Sequence, residues 1–225
     1  MPPTLTILVP VYNEEATIAE VMRILATIFS TSEIIYIDDG SRDRSLEIIK
    51  RCKRPEDIVL SKPNGGKGSA IREGLLHAHG EFCVIQDADL EYNPSEILVL
   101  LREAQEHPMS IVFGSRFLKP NPNIYPLYLL GNKMLTWMLN MLFGGHLTDA
   151  YTCYKLFPTA LLKTLPLTSC GFELEAELAA YPLKNGHKIR ECSITYQPRT
   201  FEQGKKINWR DAVKGIWTMV RIWCL

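Results

Sequence analysis

Short apolar runs in the first half of the chain stop abruptly at polar turns, and a stretch of helical period follows each stop. The runs are Leu5–Val9, Glu33–Ile37, Asp57–Leu60, Phe82–Ile85 and Ser110–Phe113. Each is strand-length, and a near-continuous apolar strand bounded by turn residues is covered on both faces. Between the runs, apolar residues recur every three to four positions: Ile18, Val21, Met22, Leu25, Ile28 and Phe29 in the first interval, then Leu46, Ile49 and Cys52. Ile71, Leu75 and Ala78 continue the pattern, followed by Ile97, Leu98, Leu101 and Ala104. Ser41 or Asp43 starts the second helix, and Pro94 and Ser95 start the fourth. Strand and helix in this rhythm imply βαβ units, hence an α/β fold with a mostly parallel sheet flanked by helices.

The fourth run carries the chemistry. Phe82–Ile85 ends in Asp87, Asp89 and Glu91. If the chain stays extended, alternation points all three carboxylates roughly the same way. Crowded carboxylates repel, and a hard divalent cation with oxygen ligands would hold them; a solvated acidic loop is the plainer alternative. Asp38 and Asp39 close the second run, so two strand exits are acidic. Basic groups come from three other loops: Lys67, Arg116, and Arg199 with Lys205 and Lys206. Open α/β sheets bind ligands outside the carboxyl ends of their strands, so acids, cation and basic side chains can converge on one diphosphate. That is what a nucleotide-sugar donor needs, because its leaving group departs with negative charge. The Gly65-Gly-Lys-Gly68 turn lacks the spacing and ending of a P-loop. It either caps a helix or lets the backbone approach a ligand.

The second half reads differently. Residues 128–143 form an apolar helix, either core or interfacial. Pro158–Leu165 is a short helix, and Phe172–Leu183 another that Pro182 should end or distort. Lys188–Tyr196 alternates weakly, as an edge strand. Arg199–Ile207 is a basic loop, and Trp209–Leu225 a final helix with Trp217 and Trp223. Trp209, Trp217 and Trp223 suit a headgroup boundary, with Lys205, Lys206, Arg210, Lys214 and Arg221 near anionic lipid.

Lys+Arg and Asp+Glu balance at 25 each, so no basic field favours nucleic acid. No apolar stretch approaches the about 20 residues of a membrane span, and the start lacks a signal-peptide pattern. The expectation is a cytoplasmic chain. The six cysteines show no C-x-x-C spacing and read as free thiols, and the histidines form no zinc-like set.

Five motifs stand in a telling order: Val9-Pro-Val-Tyr-Asn-Glu14, Asp38-Asp-Gly-Ser41, Gly66-Lys-Gly68, Asp87-Ala-Asp-Leu-Glu91 and Gly114-Ser-Arg-Phe117. This order resembles family-2 glycosyltransferases of the GT-A (Rossmann-like) fold, most of all the dolichol-phosphate (polyprenyl-phosphate) mannosyl- and glucosyltransferase branch. The resemblance runs from Leu5 to about Trp217. Asp149-Ala-Tyr-Thr-Cys-Tyr-Lys155 is similar to the branch's Asp-x-x-Ser-Gly-Phe-Arg segment, and Arg199 with Lys205 to its Arg-x-x-Gly-x-Ser-Lys loop.

The resemblance implies a single domain over 1–225 and an inverting hexosyl transfer from GDP-mannose or UDP-glucose to a polyprenyl phosphate. It implies nucleotide contacts from Pro10, Tyr12, Glu14, Asp39, Lys67, Asp87 and Ala88. Asp89 and Glu91, supported by Asp87, would ligate Mg²⁺ or Mn²⁺. Asp89, Arg116, Asp149, Lys155, Arg199 and Lys205 would form the catalytic set, the last three and Arg116 holding phosphates. Three departures stand out: Glu91 where the mannosyltransferases usually have Gln, Lys155 for Arg, and Thr152-Cys153 for Ser-Gly. An acceptor phosphate is already ionised near neutral pH and needs no strong base. A hydroxyl acceptor would need one, and Asp149, Glu173 and Glu175 are the candidates. Docking on the cytoplasmic membrane face would use the two late helices or a membrane-anchored partner subunit. The alternatives are the same fold with a soluble acceptor, or a silent nucleotide-sugar-binding subunit.

Overall fold

A computed structural model describes residues 3–107, 109–120, 126–199 and 209–225. All five expected strands form: β1 (Leu5–Val11), β2 (Glu33–Asp38), β3 (Ile58–Ser61), β4 (Phe82–Ile85) and β5 (Ile111–Ser115), with β4 as expected and the other four differing by a residue or two at one or both ends. β1 runs two residues past its expected end, through Pro10. Val11 O accepts from Asp39 N and Leu8 O from Gln86 N, so even-numbered residues of β1 face β4. The β4 pairing stops at Leu8. A residue without an N–H is therefore harmless at position 10.

The helices between the strands are α1 (Ile18–Ile28), α2 (Ser45–Cys52), α3 (Lys67–Leu76) and α4 (Ile97–Glu106). A long α5 (Pro126–Phe143) follows β5. Next comes a strand the sequence pattern did not announce, β6 (Lys155–Pro158), and then α6 (Thr159–Thr164), α7 (Leu174–Lys184), β7 (Ile189–Ser193) and α8 (Trp209–Cys224). Pro182 does not end α7. It sits in the last turn, and the helix stops two residues later at Lys184.

The sheet order is β3-β2-β1-β4-β6-β5-β7. β6 is antiparallel to both β4 and β5, and every other pairing is parallel. β2 and β3 lie to one side of β1 and β4 to the other, so the order turns between β1 and β4. The crevice outside the carboxyl ends of two such strands is where an open α/β sheet takes its ligand. α3 lies on β1 and β2, and α4 on β5, β6 and β7. α5, α7 and α8 pack against one another. They cover the ends of the strands rather than the faces of the sheet.

Candidate active site

A cavity of about 970 Å³ opens at the turning point of the sheet. The exits of β1 and β2 contribute Pro10, Tyr12, Glu14 and Asp39, and the exit of β4 contributes Asp87, Ala88, Asp89 and Glu91. Gly66 and Lys67 enter from the start of α3, and Arg116 from the end of β5. Arg199 closes one side. All seven expected nucleotide-binding residues therefore line one space. The later helices add Tyr128, Gly131, Asn132 and Leu135 of α5, Glu175 of α7, and Asp211 and Ala212 of α8.

The glycine turn is pinned from beneath. The Asp39 carboxylate accepts from Gly65 N (3.0 Å), Gly66 N (2.7 Å) and Lys62 Nζ (2.7 Å). Gly66 has φ +89°, and a Cβ there would lie 2.5 Å from Cys170 O; one on Gly68 would lie 2.4 Å from Ser169 O. Much of the need for glycine thus comes from the 169–171 backbone pressed against the turn. α3 begins directly at Lys67, whose Nζ lies 2.8 Å from Asp87 Oδ1 and 3.1 Å from Glu175 Oε1. Burial would raise the Asp87 carboxyl, but the Lys67 ammonium, the Cys153 hydrogen bond and the Arg199 charge together bring the net shift downward.

The three carboxylates after β4 do not face one way. Leu90 has φ +61°, a left-handed backbone that breaks the alternation between Asp89 and Glu91. Asp87 turns to Lys67. Asp89 Oδ1 accepts from Glu91 N (3.0 Å), and Oδ2 meets Arg199 Nη2 (3.1 Å). Glu91 accepts from Arg199 N (2.7 Å) and from the Tyr196 hydroxyl (2.8 Å). Glu91, expected to ligate a metal, here uses both of its oxygens to tie down the 196–199 segment. Among the described residues, no three acidic, His or Cys side chains form a ready metal cage. Asp89 still fits a cation. Burial first, then the neighbouring Asp87 and Glu91 charges, hold its carboxyl up at about 7 even with Arg199 beside it. A buried carboxylate so poorly compensated suits a divalent ion whose other ligands are diphosphate oxygens.

Arg199 forks across two strand exits. Nη1 is 2.8 Å from Glu14 Oε2, and Nη2 is 3.1 Å from Glu14 Oε1 and from Asp89 Oδ2. Its expected partner Lys205 lies outside the described residues, as does Lys206.

Two members of the expected catalytic set hold other groups in place. Asp149 is fully buried and receives Arg116 N (3.0 Å), Nε (2.7 Å) and Nη2 (2.8 Å). It orients Arg116 and is not available as a base. Lys155, expected to contact phosphate, does not reach the cavity. It lies in β6, is fully buried, and gives its ammonium to Glu175 and the Thr152 carbonyl. Burial lowers its pKa despite the Glu175 charge. Glu173 accepts from Gly171 N and stays out of the cavity lining. Glu175, which the sequence offered only as one of three possible bases, is shared by Lys155 and Lys67. Tyr196 also escaped the sequence reading. It holds Glu91 and lies 5.1 Å beneath the Arg116 guanidinium. The one available signal was its position three residues before Arg199.

The site is a crevice at the turn of a mixed α/β sheet, with acids on three strand exits and cations on three other segments. Residues 6–165 match Glycosyl transferase family 2, and the chain belongs to that family. The hexosyltransferase Agl6 of low-salt glycan biosynthesis in Haloferax volcanii is 28% identical over 208 residues, 89% of this chain and 49% of the relative. The glycosyltransferase AglJ of the same organism is 29% identical over 203 residues, 88% of this chain and 64% of the relative. This chain thus spans between half and two thirds of their length. An undecaprenyl-phosphate 4-deoxy-4-formamido-L-arabinose transferase of Shewanella sediminis is 40% identical over 110 residues, 45% of this chain and 33% of the relative. Among solved structures, glucosyl-3-phosphoglycerate synthase of Mycobacterium tuberculosis with Mn²⁺, uridine diphosphate and phosphoglyceric acid superposes with a TM-score of 0.77 at 19% identity. That match covers 98% of this chain and 78% of the synthase. The fold is GT-A.

Proposed function

We propose that this chain transfers a hexose, with inversion, from a nucleotide diphosphate sugar to a polyprenyl phosphate at the cytoplasmic surface of a membrane. One observation carries the reading. The cavity has a charged wall built from strand exits and a second wall built from α5 and α8, and both of those helices expose apolar side chains on their outer faces. On α5 these are Leu130, Met134, Trp137 and Met141; on α8 they are Val213, Trp217, Val220 and Trp223. An acceptor with an ionic head and a hydrocarbon tail matches both walls. Among the described residues no helix is long and apolar enough to cross a membrane, so contact through these two faces would be interfacial. Arg221, expected beside anionic lipid, turns inward to Glu177 and Thr168 instead, while Lys214 stays exposed.

The donor nucleoside would lie between Pro10, Tyr12 and Glu14 on one side and the Asp39-pinned turn on the other. Lys67 and Arg199 stand where the diphosphate would lie. Mg²⁺ or Mn²⁺, held by Asp89 with Asp87 adjacent, would neutralise charge on the departing diphosphate. Arg116, kept rigid by Asp149, offers its buried guanidinium to the acceptor phosphate, whose own oxygen attacks the anomeric carbon opposite the leaving group. No side chain has to remove a proton in this reaction. That agrees with Glu175, whose carboxylate is engaged by two ammonium groups.

Incubation with labelled GDP-mannose and UDP-glucose, MnCl₂ or MgCl₂, and a polyprenyl-phosphate-containing lipid extract tests the proposal. Label from one donor should enter the organic phase. Label that stays in water with a soluble phosphorylated acceptor, and never enters lipid, would replace the lipid acceptor with a soluble one.

A further inference from the structure

The same two side chains oppose a cation and attract a diphosphate. Arg199 holds Glu14 at 2.8 Å and Asp89 at 3.1 Å, and Lys67 holds Asp87 at 2.8 Å. Asp89 and Asp87 are the carboxylates that a divalent ion would use. A guanidinium already on Asp89 repels a second positive charge and occupies one of its oxygens. Yet Arg and Lys are also strong phosphate ligands, Arg through a planar fork and Lys as a point charge. Arg199 has a donor to spare: its Nε is buried and has no hydrogen-bond partner among the described residues. A buried donor of this kind gains from a phosphate oxygen.

We infer that Arg199, and to a lesser degree Lys67, are exchangeable counter-ions, so that divalent cation and nucleoside diphosphate bind by a swap of partners. The ion takes Asp89 from Arg199, and Arg199 takes the diphosphate. Each ligand then removes the obstacle to the other, and by linkage the gain is reciprocal. Because a guanidinium stays charged at any working pH, the coupling does not depend on its protonation. Lys67 has the smaller share because Glu175 retains part of its ammonium even when Asp87 is taken. The inference rests on the donor reading of the site and concerns how that site fills.

The test is binding, without acceptor and without turnover. Free Mn²⁺ is followed by electron paramagnetic resonance, and UDP and GDP by calorimetry, on wild type, Arg199→Ala, Arg199→Lys and Lys67→Met. With MnCl₂ alone, Arg199→Ala should bind the ion about 5-fold more tightly than wild type, the low end of ordinary coupling. The preferred nucleotide should bind the same variant about 10- to 150-fold more weakly, the loss expected for a charge-assisted contact. Arg199→Lys should return Mn²⁺ affinity to the wild-type value and recover only part of the nucleotide affinity. Lys67→Met should show both signs with smaller amplitude, which keeps the test open should Arg199→Ala fail to fold. If Arg199→Ala binds Mn²⁺ equally or more weakly while wild type binds ion and nucleotide, the swap is wrong and the donor reading stands. If wild type binds neither Mn²⁺ nor nucleotide, both fall together.

Discussion

The two walls of the cavity are built on opposite plans. The strand-exit wall is polar and cross-linked: Asp39 holds the glycine turn, Glu91 holds Tyr196 and Arg199 N, and Arg199 bridges Glu14 and Asp89. Almost every charge there has a named partner of opposite sign. The helical wall is apolar on two sides. Leu135 and Leu139 of α5, and Met219 and Ile222 of α8, are buried, while Trp137 and Trp217 stand 62% and 64% exposed. A wall of fixed charges gives geometry, which a leaving diphosphate requires. A wall of two-sided helices gives a surface, which a lipid-like acceptor requires. Under the proposed function, donor and acceptor would be met by different physics within one chain.

The hardest blow to this contrast is struck at the polar wall. Asp89→Ala removes the best cation ligand, and hexosyl transfer should fall below detection; chelation with EDTA should do the same to wild type. Full activity in EDTA would show that the charged wall works without a metal. Next in size is Asp149→Ala, which strands the buried Arg116 guanidinium. It should cost about 3–5 kcal/mol of stability, read as a lower urea midpoint with an unchanged slope. Were the midpoint to stay put, Arg116 would have another partner, and the rigid-wall account would need revision.

Gly68→Ala comes third. Its Cβ would lie 2.4 Å from Ser169 O, so either the turn or the 169–171 segment must move. A loss of about 1–3 kcal/mol is expected, together with weaker nucleotide binding as Lys67 shifts. The smallest effect on the fold belongs to the helical wall. Trp137→Ala with Trp217→Ala should change stability by no more than about 0.5 kcal/mol each. The same double variant should lose flotation with anionic liposomes that the wild type shows. Equal flotation of both proteins would remove the membrane role from these faces.

Much of the polar wall was legible in the chain because strands carry their message locally. A run such as Phe82–Ile85 must be buried, and whatever follows it must emerge at a sheet edge, so the chain alone places Asp87 and Asp89 there. Helices α5 and α8 were legible as apolar and no further. Periodicity says that Leu135 and Trp137 belong to one helix, but not which of them meets the core. Lys155 was misjudged for a related reason: Lys155–Pro158 is only four residues long and has no period to betray a strand. A lysine in the middle of a sheet becomes intelligible once Glu175, twenty positions later on α7, is seen to neutralise it.

Local order along the chain was enough to settle the α/β class, the strand ends that carry acid, and the family, since each depends on residues adjacent in sequence. Tertiary structure alone decided which charges pair. The left-handed turn at Leu90 sends Glu91 toward Tyr196, a residue more than a hundred positions away, and leaves Asp89 to Arg199. Charge interactions fall off with distance in space and are indifferent to distance along the chain, so no motif could state them. The same holds for the cavity's second wall. It exists because α5, α7 and α8 pack on one another across the strand ends, a contact between segments that share no local pattern.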